Sequence, residues 1–230
     1  MQNLCVIIPF YNEKEFLLNS VNRVLETGIA DQILLSDDFS NDGSEIIAKK
    51  LSEEYEFIKY IRSNKNKGKG SALNNVKKYI ETSHVVIHDA DLEYFPSDIV
   101  EMFEVSKNNP ECLILGTRFI GKKDRKNIYI RTGLANRVMS LFFSVLYFSK
   151  ITDVASCYKL MPTQFFQNIS LKEQGFSIEI EILSKFLKTN NKIKEVPIKY
   201  EARSYSEGKK IKTVDGLMYL FNTLKYRFFN

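Results

Sequence analysis

The feature that most constrains this chain is the alternation, through its first half, of short apolar runs with segments of helical periodicity. Residues 4–9, 32–36, 57–61 and 84–88 read as strands, the first of them a buried type. Residues 13–26, 44–55 and 71–81, lying between them, read as helices. This strand–helix succession predicts an α/β fold with a mostly parallel sheet covered by helices on both faces. In such a sheet the carboxyl ends of the strands gather the chemistry along one rim.

Beyond residue 95 the pattern changes. Residues 96–108 read as a helix, 112–116 as a strand and 121–126 as a basic loop. Residues 131–150 form a long helical pattern whose end, 141–148, is almost wholly apolar. Residues 158–161 and 193–198 read as strands, and 178–188 and 214–229 as helices. No repeat, linker or low-complexity stretch divides the 230 residues, so one domain is expected.

The composition, 44% hydrophobic and 27% charged, is globular and supplies enough apolar material for a core. The formal charge is only +5, but basic residues cluster at Lys65, Lys67 and Lys69, at Lys122, Lys123, Arg125 and Lys126, and at Lys209, Lys210 and Lys212. Such clusters suit an anionic ligand or surface, or are solvated lysines. They lack interleaved stacking aromatics, and acidic strand ends oppose a phosphate backbone, so no nucleic-acid partner is expected. Three cysteines, Cys5, Cys112 and Cys157, form no CxxC pair. Cys5 and Cys112 lie in apolar, strand-like runs and read as buried free thiols, which favours a reducing, cytoplasmic setting. The first residues pass straight into a strand pattern with no leader, and no apolar run reaches the about 20 residues that cross a bilayer.

The strand ends carry the candidate site. The first ends at Pro9-Phe10-Tyr11-Asn12-Glu13, the second at Asp37-Asp38-Phe39-Ser40, and the fourth at Asp89-Ala90-Asp91-Leu92-Glu93. Converging carboxylates repel one another, and a divalent cation relieves that repulsion. Asp89 and Asp91, one residue apart past a buried strand, both reach one hard cation with Glu93 nearby; Mg²⁺ or Mn²⁺ would then be shared with ligand phosphates. The bland alternative is a solvated acidic loop before the helix near Pro96. Gly68-Lys69-Gly70-Ser71 precedes a helix, so its amides and Lys69 suit a phosphate, or it is an ordinary glycine-rich helix start. It lacks the Walker A spacing, which argues against a P-loop nucleotidase.

Residues 6–13 (VIIPFYNE), 37–44 (DDFSNDGS), 66–74 (NKGKGSALN), 89–96 (DADLEYFP) and 116–119 (GTRF) resemble family-2 glycosyltransferases of the GT-A fold. Residues 152–160 (TDVASCYKL), 175–183 (GFSIEIEIL) and 195–216 (EVPIKYEARSYSEGKKIKTVDG) extend the resemblance to the branch of dolichyl-phosphate mannose synthases and bacterial polyprenyl-phosphate glycosyltransferases. The resemblance covers nearly the whole chain. It implies a nucleotide-sugar-binding half over residues 1–119 and an acceptor-side half over 120–230.

The resemblance also implies roles. Pro9, Tyr11, Glu13 and Asp38 match positions that hold the nucleoside, and Asp89 and Asp91, flanking Ala90, match the metal ligands. Glu93 stands where this branch often has glutamine. Arg118, Arg203 and Lys209 match cationic positions around the diphosphate or the acceptor phosphate, where arginine suits bidentate contact. Ala155-Ser156-Cys157 departs from the Thr-Ser-Gly type of sequence common there, which bears on the acceptor side. The C-terminal transmembrane helices of some relatives are not expected here.

The implied reaction is a single inverting displacement at the sugar's anomeric carbon, with the metal and nearby cations stabilising the departing nucleoside diphosphate. A polyprenyl phosphate acceptor is already anionic, whereas a glycan hydroxyl needs a general base. Glu179 and Glu181 are the candidates for that base; two apart on a helix they do not share a face, so one lines the site and the other faces solvent. The absence of a Glu-Asp pair in residues 175–183 favours the phosphate acceptor. Residues 141–148 and 225–229 suit a membrane surface beside a lipid acceptor, packing within the protein, or contact with a second copy. The donor's base, UDP or GDP, and its sugar stay open.

Overall fold

In a computed structural model, the chain builds a seven-stranded sheet flanked by helices. The structure describes residues 2–121, 123–126, 130–175, 177–189, 192–202 and 213–229, and the side chains of these except 130–131 and 213–217.

β1 (Leu4–Phe10), β2 (Gln32–Asp37), β3 (Ile58–Arg62) and β4 (His84–Ile87) are parallel, in spatial order β3-β2-β1-β4. Every residue of β1, β2 and β4 is buried. Both faces of each strand are therefore covered, which is why their middles, residues 5–8, 33–35 and 85–87, are continuous apolar runs rather than alternating ones. Fully burying each Leu or Ile contributes about 1.5–3 kcal/mol. β3 lies at the sheet edge and is only half-buried.

The expected parallel order breaks once. β7 (Lys159–Pro162) sits between β4 and β5 (Leu113–Thr117) and runs antiparallel to both. β8 (Ile193–Pro197) then pairs parallel with β5 at the far edge. Antiparallel direction depends on which neighbours a strand finds, so residues 158–161 could not announce it.

The helices follow the sequence reading, with instructive differences. α1 (Leu17–Leu25) starts four residues later than residue 13. The backbone N–H groups of Asn12, Glu13 and Lys14 are instead captured by Ser40 Oγ (3.0 Å), Ser44 Oγ (3.0 Å) and Asp42 Oδ2 (3.0 Å) of the loop after β2. α2 (Ser44–Glu54), α4 (Ser97–Lys107) and α7 (Ile178–Leu187) lie close to their expected bounds. α3 (Lys69–Val76) tightens into a 3₁₀ turn over Lys77–Tyr79.

Within the expected basic loop, Arg125–Lys126 forms a short strand, β6, paired with β9 (Tyr200–Glu201). That pairing joins residues 75 positions apart, for Arg125 opposite Tyr200, and has no local signature. α6 (Thr163–Asn168) was likewise absent from the sequence reading. α5 (Ile130–Tyr147) and α8 (Thr213–Phe228) pack on each other. No described helix is long and apolar enough to cross a membrane. The three thiols are free; Cys5 and Cys157 are buried, while Cys112, just before β5, is half-exposed.

Candidate active site

Three strand ends and two helix starts meet at one rim. At the end of β2, Asp37 Oδ1 accepts from Ser40 N–H (2.7 Å) and Oδ2 from Tyr60 Oη–H (2.8 Å), which tightens the turn behind it. Phe39, at φ 73°, holds an exposed ring over which the Arg62 guanidinium sits 4.9 Å from the centroid. Tyr11 is also exposed, in the loop after β1. The Asp38 carboxylate is buried and accepts from the backbone N–H groups of Lys67 (3.1 Å) and Gly68 (2.5 Å). Burial pushes that carboxyl up from its ordinary value, against the lowering effect of the two donors. Asp38 thus anchors the glycine turn that opens α3.

That turn needs its glycines. Gly68 has φ 92°, and a Cβ at Gly68 or Gly70 would collide with the backbone carbonyls of Gln174 and Glu173 respectively. The close approach brings the start of α3 against the segment leading into α7. Lys69, between the two glycines, therefore reaches across the rim. Its Nζ lies 2.7 Å from Asp89 Oδ1 and 2.9 Å from Glu179 Oε1.

Behind Lys69 the charges alternate inward. Glu179 Oε2 takes a 2.5 Å contact from Lys159 Nζ, which is fully buried on β7 and also donates to Ser156 O. The order Asp89, Lys69, Glu179, Lys159 links β4, α3, α7 and β7. Burial raises the Asp89 carboxyl, but Lys69 beside it, with hydrogen bonds from Lys69 and Cys157, holds it below the usual carboxylate range. Burial lowers Lys69, yet Asp89 and Glu179 outweigh it and keep the ammonium charged well above its ordinary range. Beside this chain, burial pushes His88 down to about 4, so its ring is neutral between Ser20 Oγ (3.1 Å) and Tyr158 Oη (3.0 Å).

Asp91 is half-exposed, and its Oδ1 accepts from Glu93 N–H at 3.1 Å. Leu92, at φ 63°, turns the chain between them. Glu93 Oε2 accepts from Tyr200 Oη–H at 2.6 Å. Among the described residues, no group of three or more His, Cys, Asp or Glu is gathered closely enough to hold a metal ion. The expected ligand set of Asp89, Asp91 and Glu93 is therefore not assembled, because Tyr200 holds Glu93 and Lys69 holds Asp89. The hard oxygens of Asp89 and Asp91 remain at the partly exposed rim. That donor set fits a cation held by one or two carboxylates and completed by ligand phosphates, the usual habit of Mg²⁺.

The match to the model of Glycosyl transferase family 2, over residues 5–170, takes in all three strand ends and the α3 turn. The chain belongs to that family. It is 30% identical over 227 residues to the dolichol-phosphate mannosyltransferase of Pyrococcus furiosus, covering 96% of this chain and 63% of that protein. It is 27% identical over 236 residues to the UDP-N-acetylglucosamine–dolichyl-phosphate N-acetylglucosaminyltransferase of Methanococcus voltae, covering 95% and 94%. The fold is shared with glucosyl-3-phosphoglycerate synthase of Mycobacterium tuberculosis, solved with Mn²⁺, UDP and glucosyl-3-phosphoglycerate, at TM-score 0.71 and 16% identity over 98% of this chain and 80% of that one. The architecture is accordingly the GT-A arrangement.

Set against this family-2 frame, two expectations about side chains change. Arg118 is not a cation waiting for phosphate. Its Nε and Nη2 make a bidentate pair with Asp153 Oδ2 (2.7 Å) and Oδ1 (2.8 Å), and its guanidinium lies 4.7 Å from the Tyr200 ring centroid. Burial lowers the guanidinium, but Asp153 outweighs it. Arg118 joins β5 to the loop before β7 as a buried strut. Glu179 and Glu181 also differ from the expected pair of one inward and one solvated residue, since both are buried. Glu181 accepts from the N–H groups of Lys172 (2.9 Å) and Glu173 (2.8 Å) and pairs with Lys185 Nζ (2.6 Å), which ties the preceding segment to α7.

Pro9 lies buried in β1, and Glu13 is half-buried at the rim. Arg203 and Lys209 lie outside the described residues. Lys159, Asp153 and the Phe39–Arg62 pair escaped the sequence reading. Phe39 stood inside the second acidic motif and Asp153 inside the TDVASCYKL stretch, so position, but not partnership, was visible.

The buried Arg118–Asp153 pair makes a stability prediction. Asp153→Asn leaves a buried guanidinium without its anion and is expected to cost about 3–5 kcal/mol. Urea unfolding followed by circular dichroism measures this; an unchanged midpoint would show that Arg118 has another anionic partner.

Proposed function

We propose that this family-2 chain transfers a sugar from a UDP- or GDP-sugar to the phosphate of a polyprenyl phosphate, with inversion at the anomeric carbon. An acceptor phosphate oxygen forms the new bond to that carbon while the bond to the nucleoside diphosphate breaks, and the diphosphate leaves with the electron pair. The observation that carries this reading is the condition of the two α7 carboxylates. Glu179 lies between Lys69 and Lys159, and Glu181 is used by two backbone N–H groups and Lys185. Neither is poised to take a proton from a sugar hydroxyl, and a phosphate acceptor needs no such base. The Pyrococcus and Methanococcus relatives, both dolichol-phosphate transferases, support the same acceptor class.

In this reading Pro9, Tyr11, Glu13 and Asp38 shape the nucleoside side, Asp38 by fixing the Lys67–Gly68 turn. Tyr11 and Phe39 offer exposed rings at the same rim. Asp89 and Asp91, on either side of Ala90, would hold the Mg²⁺ or Mn²⁺ that the donor's diphosphate needs. When bound, that cation offsets the negative charge of the leaving group. Lys69 adds a fixed positive charge at the same edge, oriented by Glu179. Arg203 and Lys209 serve the diphosphate or the acceptor phosphate.

The test is incubation with Mg²⁺ or Mn²⁺, a panel of UDP- and GDP-sugars and a short polyprenyl phosphate, with lipid-linked sugar followed by mass spectrometry. A lipid-linked product that EDTA abolishes is the expected result. Transfer only to glycan hydroxyls would overturn the acceptor assignment, and absence of any donor binding would overturn the activity.

A further inference from the structure

Residues 169–175, between α6 and α7, form neither helix nor strand. Side chains of neighbouring helices hold their backbone instead. Asn74 of α3 donates to Leu171 O (2.7 Å) and accepts from Leu171 N–H (3.3 Å). Glu181 of α7 takes the N–H groups of Lys172 and Glu173, and Lys185 Nζ donates to Ser170 O.

Within this strap, Glu173 meets three helices at once. Its carbonyl oxygen lies against Gly70 at the start of α3, closer than any Cβ would allow, and the Gln174 carbonyl lies against Gly68 in the same way. Its N–H is bound to Glu181 of α7. Its carboxylate faces α8, where Oε1 accepts from Lys225 Nζ (2.8 Å) and Tyr226 Oη–H (2.8 Å), and Oε2 accepts from Asn222 Nδ2 (3.2 Å). Asn222 and Tyr226 are buried, so these two donors stand in fixed places. Burial raises the Glu173 carboxyl, but the hydrogen bonds from Lys225 and Tyr226 outweigh it and hold it below its ordinary range.

Lys69 is the side chain most sensitive to where Glu173 sits. It stands on α3 between the two glycines, whereas Glu179, one of its two anions, stands on α7. The 2.9 Å pair between them therefore spans two elements whose separation is set where the strap meets the glycine turn. Such a bond weakens steeply as it lengthens or bends.

We propose that Glu173 is a positioning residue. Anchored by α8, it holds the start of α3 at a fixed distance from α7 and so sets where the Lys69 ammonium stands. Its bearing on transfer rests on the reading of Lys69 as a cation at the departing diphosphate.

The experiment compares Glu173→Ala, Glu173→Gln and Lys225→Met/Tyr226→Phe with the parent, well below their melting temperatures. One measurement is acetylation by an N-hydroxysuccinimide ester, without donor, metal or acceptor, with labelling of Lys69 resolved by mass spectrometry. Lys69 of Glu173→Ala is expected to label roughly three- to tenfold faster than in the parent, the worth of one such hydrogen bond. The other is the initial rate of sugar transfer. There kcat is expected to fall about tenfold or more with donor KM within about twofold, because a displaced charge is missed chiefly in the transition state. Glu173→Gln is expected to stay near the parent in both, since its amide oxygen still accepts from Lys225 and Tyr226 and the Asn222 amide can turn to accept from its NH₂. Lys225→Met/Tyr226→Phe removes the anchor from the α8 side, leaves residue 173 unchanged and is expected to repeat the effect of Glu173→Ala, which keeps the test open if that variant does not fold. Labelling of Lys69 at the parent rate in a folded Glu173→Ala or double variant overturns the proposal, and so does a rise in donor KM with kcat unchanged. Faster labelling of Lys69 with kcat and KM both unchanged supports Glu173 as the residue that sets Lys69, and strikes the reading of Lys69 at the diphosphate instead.

Discussion

Asp91→Ala is expected to lower sugar transfer by about 10²–10³-fold while leaving the melting temperature close to that of the parent. Two features of the structure separate those effects. Asp91 is half-exposed at the rim, and its local contact is a backbone hydrogen bond from Glu93 across a single turn. Removing its carboxylate therefore deletes little packing. What it deletes is one of two hard oxygen donors at the place where the proposed diphosphate must lose its charge to leave. Initial rates at saturating donor, set beside thermal melts, measure the two quantities separately. A variant retaining more than about a tenth of the parent rate would remove Asp91 from the proposed machinery. Asp89→Ala is less clean, because it also takes an anion from Lys69.

Glu179→Gln is expected to destabilise the fold by about 3–5 kcal/mol, the ordinary cost of breaking a buried ion pair from one side. Lys159 is buried, and its described polar partners are Glu179 and the Ser156 carbonyl. With the carboxylate gone, its ammonium faces a neutral amide in a dry setting. Glu179→Gln/Lys159→Met removes both charges, and much of the lost stability is expected to return. Chemical unfolding of the four members of this cycle gives the coupling. Additive losses would mean that Lys159 is held by something other than Glu179. The same proteins test the role of Glu179 in the reaction. Transfer that recovers in the folded double variant would give the Glu179 carboxylate a role in stability alone; transfer that stays lost would keep it in the reaction, where it orients Lys69.

The regular elements were legible because their signals are local. An apolar run of five or six residues flanked by helical periodicity can be buried in few ways, and β1, β2, β3 and β4 formed within one residue of the expected limits. The turns were less so. Helical pattern alone started a helix at residue 13, but Asn12 sits at φ 54° and the N–H groups of residues 12–14 are bound by Ser40, Ser44 and Asp42, which hold this segment as a turn against the loop after β2. The sequence contains those hydroxyls and that carboxylate; it does not say that they fold back onto the end of β1.

The site divides along the same line. By itself the sequence determined that Asp89, Asp91, Asp38 and Lys69 would stand at strand ends and a helix start along one rim, because chain order and strand direction decide that much. Only the tertiary structure decided how the charges are shared. Arg118 and Asp153 are 35 residues apart, and Lys69 and Glu179 are 110 apart. An arginine that meets a carboxylate becomes a strut, and one that meets solvent can take a phosphate, although the residue is the same in both cases. The apolar end of α5 was visible too, but which of its faces stays outside was not. That depended on α8 packing on α5, with Tyr147 meeting Thr223 from 76 residues away, while Leu141, Val145 and Phe148 stay bare. Periodicity is a property of neighbouring residues, whereas pairing and cover are set by which distant segments the fold brings together.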